Sequence, residues 1–202
     1  AAYTGLRFYA DGFVMLSERS GFQHLYWYNL NGQLLRTVTK GDFEVSAFYG
    51  YDPATQSFYY ASHEESPLKT AIYGTDRKGT VTRLSTETGQ HSAIFSKSLK
   101  YYMNIWSDLT TPPVTTLRDA NGKCLATLVD NADLKKRVDA VSGQRELFSF
   151  ATADGVVLNG WMVKPRNFDP SKRYPVLMYQ YSGPGSQQVL DSWNAGNMGG
   201  ML

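Results

Sequence analysis

Leu25-Tyr-Trp-Tyr-Asn-Leu-Asn-Gly-Gln-Leu-Leu-Arg-Thr-Val-Thr39 holds the pattern on which the fold turns. Residues 25–30 are aromatic and aliphatic, the composition of a strand. Asn31-Gly32 follows, a dipeptide that accepts the positive φ a tight hairpin demands. Residues 33–39 then return as a second strand. The unit recurs. Tyr26, Gly32 and Arg36 are matched at one common spacing by Tyr73, Gly79 and Arg83. Around them, residues 57–62 and 71–75 read as strands, Arg77-Lys78-Gly79 as a turn and residues 80–85 as a return. A third, looser copy runs through residues 101–106, 114–117, the Ala120-Asn121-Gly122-Lys123 turn and residues 124–129. Residues 6–39 as a whole read as strands separated by turns, with residues 13–17 a further strand of the first unit ahead of the Ser20-Gly21 turn. A repeat of roughly 40–50 residues, each with several short strands, is the signature of β-propeller blades. A β-sandwich would also supply strands and turns, but not this recurrence. Propellers close with about 4–8 blades, so two to three blades make part of one.

Composition agrees. Aromatic residues make up 14% of the 202, which suits strands better than helices. A net charge of +2 with mixed signs points to neither nucleic acid nor an anionic membrane, and Lys135-Lys136-Arg137 is the longest basic run. No apolar run reaches the ~20 residues of a membrane-spanning helix. Cys124 is alone, which excludes an intrachain disulfide, and is expected to be a small buried residue in a strand. The three histidines, His24, His63 and His91, are scattered and form no metal-ligand spacing. No cofactor is expected.

Beyond the repeats, Leu134 and Val138 suggest a short helix over residues 131–138, capped by Asp130 or Asn131. Residues 140–145 look like a crossing into a second unit. Residues 146–151 and 156–163 flank Asp154-Gly155, another hairpin signal. Pro165 and Pro170 bracket a surface loop. It leads to Tyr174-Pro-Val-Leu-Met-Tyr-Gln-Tyr-Ser-Gly-Pro-Gly-Ser-Gln-Gln-Val189. Residues 176–181 read as a buried strand that stops at the Ser182-Gly183-Pro184-Gly185 turn. On the residues alone, this is either an ordinary strand and turn with a packed Tyr181, or a strand presenting that phenol to a ligand.

That last stretch resembles the opening catalytic-domain strands of the prolyl oligopeptidase superfamily, in particular its dipeptidyl peptidase IV branch in a form typical of bacteria. The resemblance extends over the whole chain. It implies a mostly β fold: the last blades of a β-propeller over residues 1–140, then the opening strands of an α/β-hydrolase domain over residues 141–202. It implies a serine exopeptidase that releases N-terminal dipeptides, preferably after Pro, from peptide substrates. By motif position, Tyr181 would donate its hydroxyl to the oxyanion hole. A periplasmic or secreted location is likewise an implication of the family. The opening Ala1-Ala2-Tyr3 and closing Gly199-Gly200-Met201-Leu202 suggest a fragment of a longer protein.

Several parts of the chemistry are missing from the sequence. Hydrolysis by this class needs a Ser in Gly-x-Ser-x-Gly, then Asp, then His. No such elbow occurs, and no His follows His91. Ser107-Asp108 lacks a base, and the resemblance makes its surroundings structural. Glu64-Glu65 is expected to be a solvated loop pair, since adjacent strand residues face opposite ways. Trp161 and Trp193 are expected to pack. The chain alone is therefore expected to be inactive. Unpartnered strand edges predict a homo-oligomer. Two rival readings stand beside the dipeptidyl peptidase: another superfamily relative, such as a tripeptidyl or acylaminoacyl peptidase, and a propeller binding module with an inactive hydrolase appendage.

Overall fold

Asn29 shows how the chain turns its strands into sheets. Its side-chain oxygen accepts from the N–H groups of Asn31 (3.1 Å) and Gln33 (2.9 Å), and Gly32 closes the turn at φ 80°. Asp76 does the same for Lys78 (2.8 Å) and Thr80 (2.9 Å), with Gly79 at φ 90°. Asp119 repeats it for Asn121 (2.9 Å) and Lys123 (3.0 Å), with Gly122 at φ 86°. Each side chain satisfies two backbone donors that the reversal would otherwise leave open. The N–H groups of Thr80 and Lys78 also hold the Asp76 carboxyl below its ordinary pKa.

The computed structural model describes residues 5–181, 183 and 187–193. Among them, three antiparallel four-stranded meanders follow one another. The first contains β1 (Leu6–Tyr9), β2 (Gly12–Ser17), β3 (His24–Tyr28) and β4 (Leu34–Thr37). The second contains β5 (Val45–Asp52), β6 (Ser57–Ser62), β7 (Ala71–Thr75) and β8 (Val81–Arg83). The third contains β9 (Gln90–Phe95), β10 (Tyr101–Ser107), β11 (Val114–Asp119) and β12 (Cys124–Val129). In each meander the Asn29-type turn joins the third strand to the fourth. These are three blades, and the recurring Tyr, Gly and Arg positions fall on the third strand, its turn and the fourth strand.

The middle blade explains why its strands are so apolar. In β6, Phe58 and Tyr60 pack into a core shared with the first blade through Val14, Leu25 and Trp27. Their neighbours Tyr59 and Ala61 face the other way, into a core with Tyr102 of the third blade. Successive strand residues point to opposite faces, so a strand covered on both sides needs apolar residues throughout. Burial pushes the Tyr60 phenol well above its ordinary pKa, aided by the charge of Glu64. Tyrosine hydroxyls also stitch the joints between blades. Tyr9 accepts from the Tyr51 N–H (3.2 Å), and Tyr49, one blade on, accepts from the Ala93 N–H (3.1 Å).

After the blades come α1 (Ala132–Asp139) and the hairpin of β13 (Gln144–Ala151) with β14 (Val157–Lys164). The Asp130 carboxylate accepts from the Ala132 N–H (3.0 Å), whereas the Asn131 side chain turns away to donate to the Pro113 carbonyl (2.7 Å). At the β13–β14 turn Thr152 takes the place of Asn or Asp, its hydroxyl accepting from the Val156 N–H (3.0 Å).

Two expectations need correction. Cys124 is exposed, because every residue of β12 is exposed: it is the outer strand of the third blade, and no described element covers it. Residues 176–181 form neither a strand nor a buried segment; Val176 is 88% exposed and Tyr181 59%. A strand must pair its backbone groups with a neighbour, and no described strand lies beside this one. No helix among the described residues is long and apolar enough to cross a membrane.

Candidate functional site

In the sequence, Tyr181 lies between two anchored residues, Tyr174 and Asp191. Upstream, the Tyr174 ring stacks on Phe168 at 5.2 Å, and its hydroxyl accepts from the Asp169 N–H (2.9 Å). Downstream, Asp191 docks on the propeller. Its carboxylate accepts from the Leu109 N–H (3.0 Å) in the β10–β11 loop, and its own N–H donates to the Leu68 carbonyl (2.9 Å) in the β6–β7 loop. The Trp193 N–H donates to the Ser107 hydroxyl (3.4 Å), and the Arg145 guanidinium sits over the Trp193 ring at 4.8 Å. Trp193 therefore packs, as expected of it. Between the anchors, a Cβ on Gly183 would stand 2.8 Å from the Tyr181 ring, so the ring lies close against Gly183. Ser182, Pro184, Gly185 and Ser186 lie outside the described residues.

The histidines and Asp108 are committed to structure. His24 is buried, with its Nε2–H donating to the Gly41 carbonyl (2.9 Å) and Nδ1 on the Thr39 hydroxyl (3.0 Å). His63 donates to the Lys69 carbonyl (2.8 Å). His91 donates from Nε2 to the Glu87 carbonyl (2.9 Å), while Nδ1 meets the Asn104 amide at 2.9 Å; burial lowers its pKa. None is placed to accept a proton from a serine. Asp108 caps its own loop by accepting from the N–H groups of Thr110 (2.7 Å) and Thr111 (2.6 Å). Glu64 and Glu65 are exposed in the β6–β7 loop, as the sequence suggests, but Glu65 also pairs with Arg83 (3.2 Å). Desolvation, then the charge of Glu65, raises the Glu64 pKa. Among the described residues, no group of three His, Cys, Asp or Glu could hold a metal ion.

Among the described residues, the Glu87–Arg118 ion pair is buried on its arginine side. The Arg118 guanidinium, 3% exposed, bonds Glu87 and also donates to the Thr116 hydroxyl (3.1 Å) and the Gly122 carbonyl (3.3 Å). It locks the loop that joins the second blade to the third. Sequence reasoning missed this pair and Asp191, since their partners are distant in the chain and no motif marks them.

What Tyr181 can do by itself is limited to donating one hydrogen bond from its phenol hydroxyl. Comparison with known proteins supplies the context. Residues 4–113 match the family model described as the dipeptidyl peptidase IV (DPP IV) N-terminal region.

The chain belongs to the dipeptidyl peptidase IV family.

Family relatives extend the match beyond residue 113. The chain is 30% identical over 189 residues to a probable dipeptidyl peptidase 4 of Aspergillus flavus, covering 92% of this chain and 24% of that protein. It is 30% identical over 197 residues to dipeptidyl peptidase 4 of Arthroderma otae, covering 95% and 25%. The crystal structure of Porphyromonas gingivalis dipeptidyl peptidase 4 matches with a TM-score of 0.88 at 43% identity, over 95% of this chain and 28% of that one. That of a putative dipeptidyl aminopeptidase IV from Bacteroides ovatus matches with a TM-score of 0.80 at 26% identity, over 95% and 30%. The chain thus spans about a quarter of the length of the curated relatives it matches. The three blades are a portion of the β-propeller of dipeptidyl peptidase 4 structures.

Proposed function

We propose that this chain is part of a serine exopeptidase that removes N-terminal dipeptides, preferably after Pro, from peptide substrates. The observation that carries the reading is the 43% identity to the Porphyromonas gingivalis dipeptidyl peptidase 4 across 95% of this chain. In this reading residues 1–140 are the last blades of the propeller, and residues 141–202 open an α/β-hydrolase domain. The β13–β14 hairpin, the loop through Pro165 and Pro170 and the apolar run 176–181 occur in the order in which the family's hydrolase domain begins. The exposure of Val176 and its neighbours is then the exposure of a strand whose partner strands belong to that domain. Names among the relatives favour dipeptide release over the tripeptidyl, acylaminoacyl and binding-module readings.

Tyr181 acts in this reading as an oxyanion-hole donor. Such a donor must point at the oxygen as it becomes negative, where it stabilises the transition state more than the ground state. Nucleophile, base and orienting carboxylate come from outside these 202 residues. Exposed apolar residues on β12 and along 176–181 favour self-association, and the family makes a periplasmic or secreted location our working assignment.

The test is turnover of a Gly-Pro reporter. The full-length protein cleaves it and is stopped by a serine-directed phosphonate, whereas the purified chain gives no turnover. Phosphonate-sensitive cleavage by the chain alone would contradict the division of chemistry. Cleavage by the full-length protein only after a third residue would contradict the dipeptidyl assignment.

A further inference from the structure

Buried histidines hold the links between blades. His24 of β3 donates from Nε2 to the Gly41 carbonyl (2.9 Å), in the link from the first blade to the second. His91 of β9 donates from Nε2 to the Glu87 carbonyl (2.9 Å), in the link from the second blade to the third. That second link, residues 84–89, is gripped from three strands of the third blade. Besides His91 of β9, the Trp106 indole N–H of β10 donates to the Thr88 carbonyl (2.8 Å). Arg118 of β11 bonds the Glu87 carboxylate and donates to the Thr86 hydroxyl (3.3 Å). Of these three grips, His91 alone can gain a proton: an indole N–H is a donor only, and a guanidinium stays charged.

The other ring nitrogen faces a partner that suits either protonation state. Nδ1 of His91 meets the Asn104 Oδ1 at 2.9 Å, and Asn104 is buried on β10. A charged ring donates to both oxygens. A neutral ring that keeps its Nε2–H needs a donor at Nδ1, which Asn104 supplies when its amide makes a half-turn. Hydrogen bonding thus serves both forms, and the choice falls to burial and charge. Glu87 in the link attracts a proton, but its carboxylate is committed to Arg118 of β11. Arg83 of β8 repels one. On β10 the ring meets the neutral Asn104 and Trp106, the latter with centroids 6.4 Å apart; towards β7 the Thr70 carbonyl accepts its backbone N–H (3.1 Å). Desolvation is the largest influence and lowers the pKa of the ring, against the pull of Asn104 and Glu87. The closed link therefore favours the neutral ring, and the charged ring is better solvated when the link opens to water.

We propose that His91 is a proton-operated clasp: neutral, it fastens the 84–89 link to the third blade, and proton uptake loosens that link and with it the joint between the second and third blades. The Asn104 amide is the turning part of the clasp, since its half-turn accompanies the proton. Glu87 does not titrate along with the ring near neutral pH. Burial works against its charge, but its own N–H and Arg118 outweigh burial and lower its pKa. The loosening is therefore a local opening at one joint, with the Arg118 and Trp106 grips still charged or bonded as before.

The experiment is hydrogen exchange read by mass spectrometry on the full-length protein, with rates corrected for their intrinsic pH dependence. A peptide over residues 84–95 reads the joint, and one over β6 is the control. With an open-state ring pKa of ~6.5, a ring that stays neutral when closed makes opening about 10-fold more frequent at about pH 5.5 than at about pH 7.5. Wild type should show a several-fold rise in exchange at residues 84–95, up to that ceiling, with β6 unchanged. No rise there, or an equal rise in β6, would overturn the proposal. His91→Gln keeps an N–H for the Glu87 carbonyl and cannot be charged, so its rise should vanish. Asn104→Asp sets a carboxylate against Nδ1 and raises the ring's folded pKa above its open value. The trend should then reverse, with protection greatest in acid and lost as pH rises through the folded value. A wild-type trend in either variant would overturn the assignment to His91. His63, with Nδ1 3.5 Å from the Thr70 hydroxyl, supplies the comparison. His63→Gln should leave the rise intact, and its loss there would move the effect to His63 and refute the clasp. Should one of the two clasp variants fail to fold, the other, read against wild type, carries the test.

Discussion

The Glu87–Arg118 pair should respond unequally to loss of its two members. Arg118 is 3% exposed and Glu87 31%. Glu87→Met strands a guanidinium away from water with only neutral oxygens around it: the Thr116 and Thr86 hydroxyls and the Gly122 and Leu84 carbonyls. Removing one partner of a buried pair costs about 3–5 kcal/mol, and those neutral acceptors keep this case near 3. Arg118→Met strands much less. Glu87 has water within reach, and the Leu84 carbonyl keeps the Tyr102 hydroxyl as a donor (3.1 Å). Its cost should be about 1–2 kcal/mol, the net worth of a few hydrogen bonds. The double variant should resemble Arg118→Met, not the sum. Urea unfolding of the 202-residue chain measures all three. Trp106 is a local probe, since its indole N–H donates to the Thr88 carbonyl (2.8 Å) in the same loop. At ~2–4 °C per kcal/mol for a chain of this size, Glu87→Met should lower Tm by about 6–12 °C. If Arg118→Met proves the more damaging change, the assignment of the buried charge to the arginine side is wrong.

Three further outcomes follow from named groups. Burial lowers the His91 pKa, so the unfolded chain takes up the proton first; stability is full above the unfolded value of ~6.5 and declines as pH falls below it towards the folded pKa. Replacing His91 by Gln should flatten that part of a Tm-against-pH curve, and an unchanged slope between pH 7 and 5 would count against a buried neutral imidazole. Gly32→Ala meets nothing within 4 Å and pays only for its positive φ, about 1–2 kcal/mol; Gly122→Ala also drives its Cβ to 2.4 Å from the Leu84 carbonyl oxygen, so it should cost clearly more in the same unfolding assay. Tyr181→Phe in the full-length protein should lower kcat by ~10²–10³-fold with KM and Tm nearly unchanged, and a wild-type kcat would remove the phenol from the oxyanion hole.

What the sequence makes legible here is what neighbouring residues settle between themselves. The strands at Ser57–Ser62, Ala71–Thr75 and Cys124–Val129 fall where their composition puts them, and Asn31-Gly32 and Asp154-Gly155 turn where expected. Two strands escaped. In Val45–Asp52 register shifts before Ala47 and before Gly50 break the alternation that a strand pattern depends on. Gln90–Phe95 opens with polar Gln, His and Ser, and Gln90 and His91 are placed by hydrogen bonds to Thr70 and Asn104 rather than by apolar burial. Cys124 and the run 176–181 fail for a different reason. Their apolar composition is a request for a covering surface, and composition cannot say whether the surface lies within the same 202 residues. Tyr181 was found only through a motif. Asp191, with its partner Leu109 far back in the chain, left no local trace.

The four Asn29-type turns separate these two kinds of information. Asn29, Asp76, Asp119 and Thr152 each accept from an N–H four residues on, and each turn closes on a glycine at φ 80–90°. The local instruction is the same, and all four make a hairpin. Their fates differ by what flanks them. The second turn belongs to a blade whose strands β6 and β7 are buried on both faces, because a blade stands on either side. The fourth joins β13 and β14, in which no residue is fully buried. A turn of this kind sets register but contributes no core, so the β13–β14 hairpin depends on other contacts for its place. The described ones are few: Arg145 over Trp193, and through Trp193 the link to Ser107 in the third blade. These contacts share the segment that Asp191 pins. The hairpin therefore takes its position from residues 187–193, and not from the repeat that builds the blades. A substitution that loosens that segment should disturb the hairpin while leaving the three blades intact.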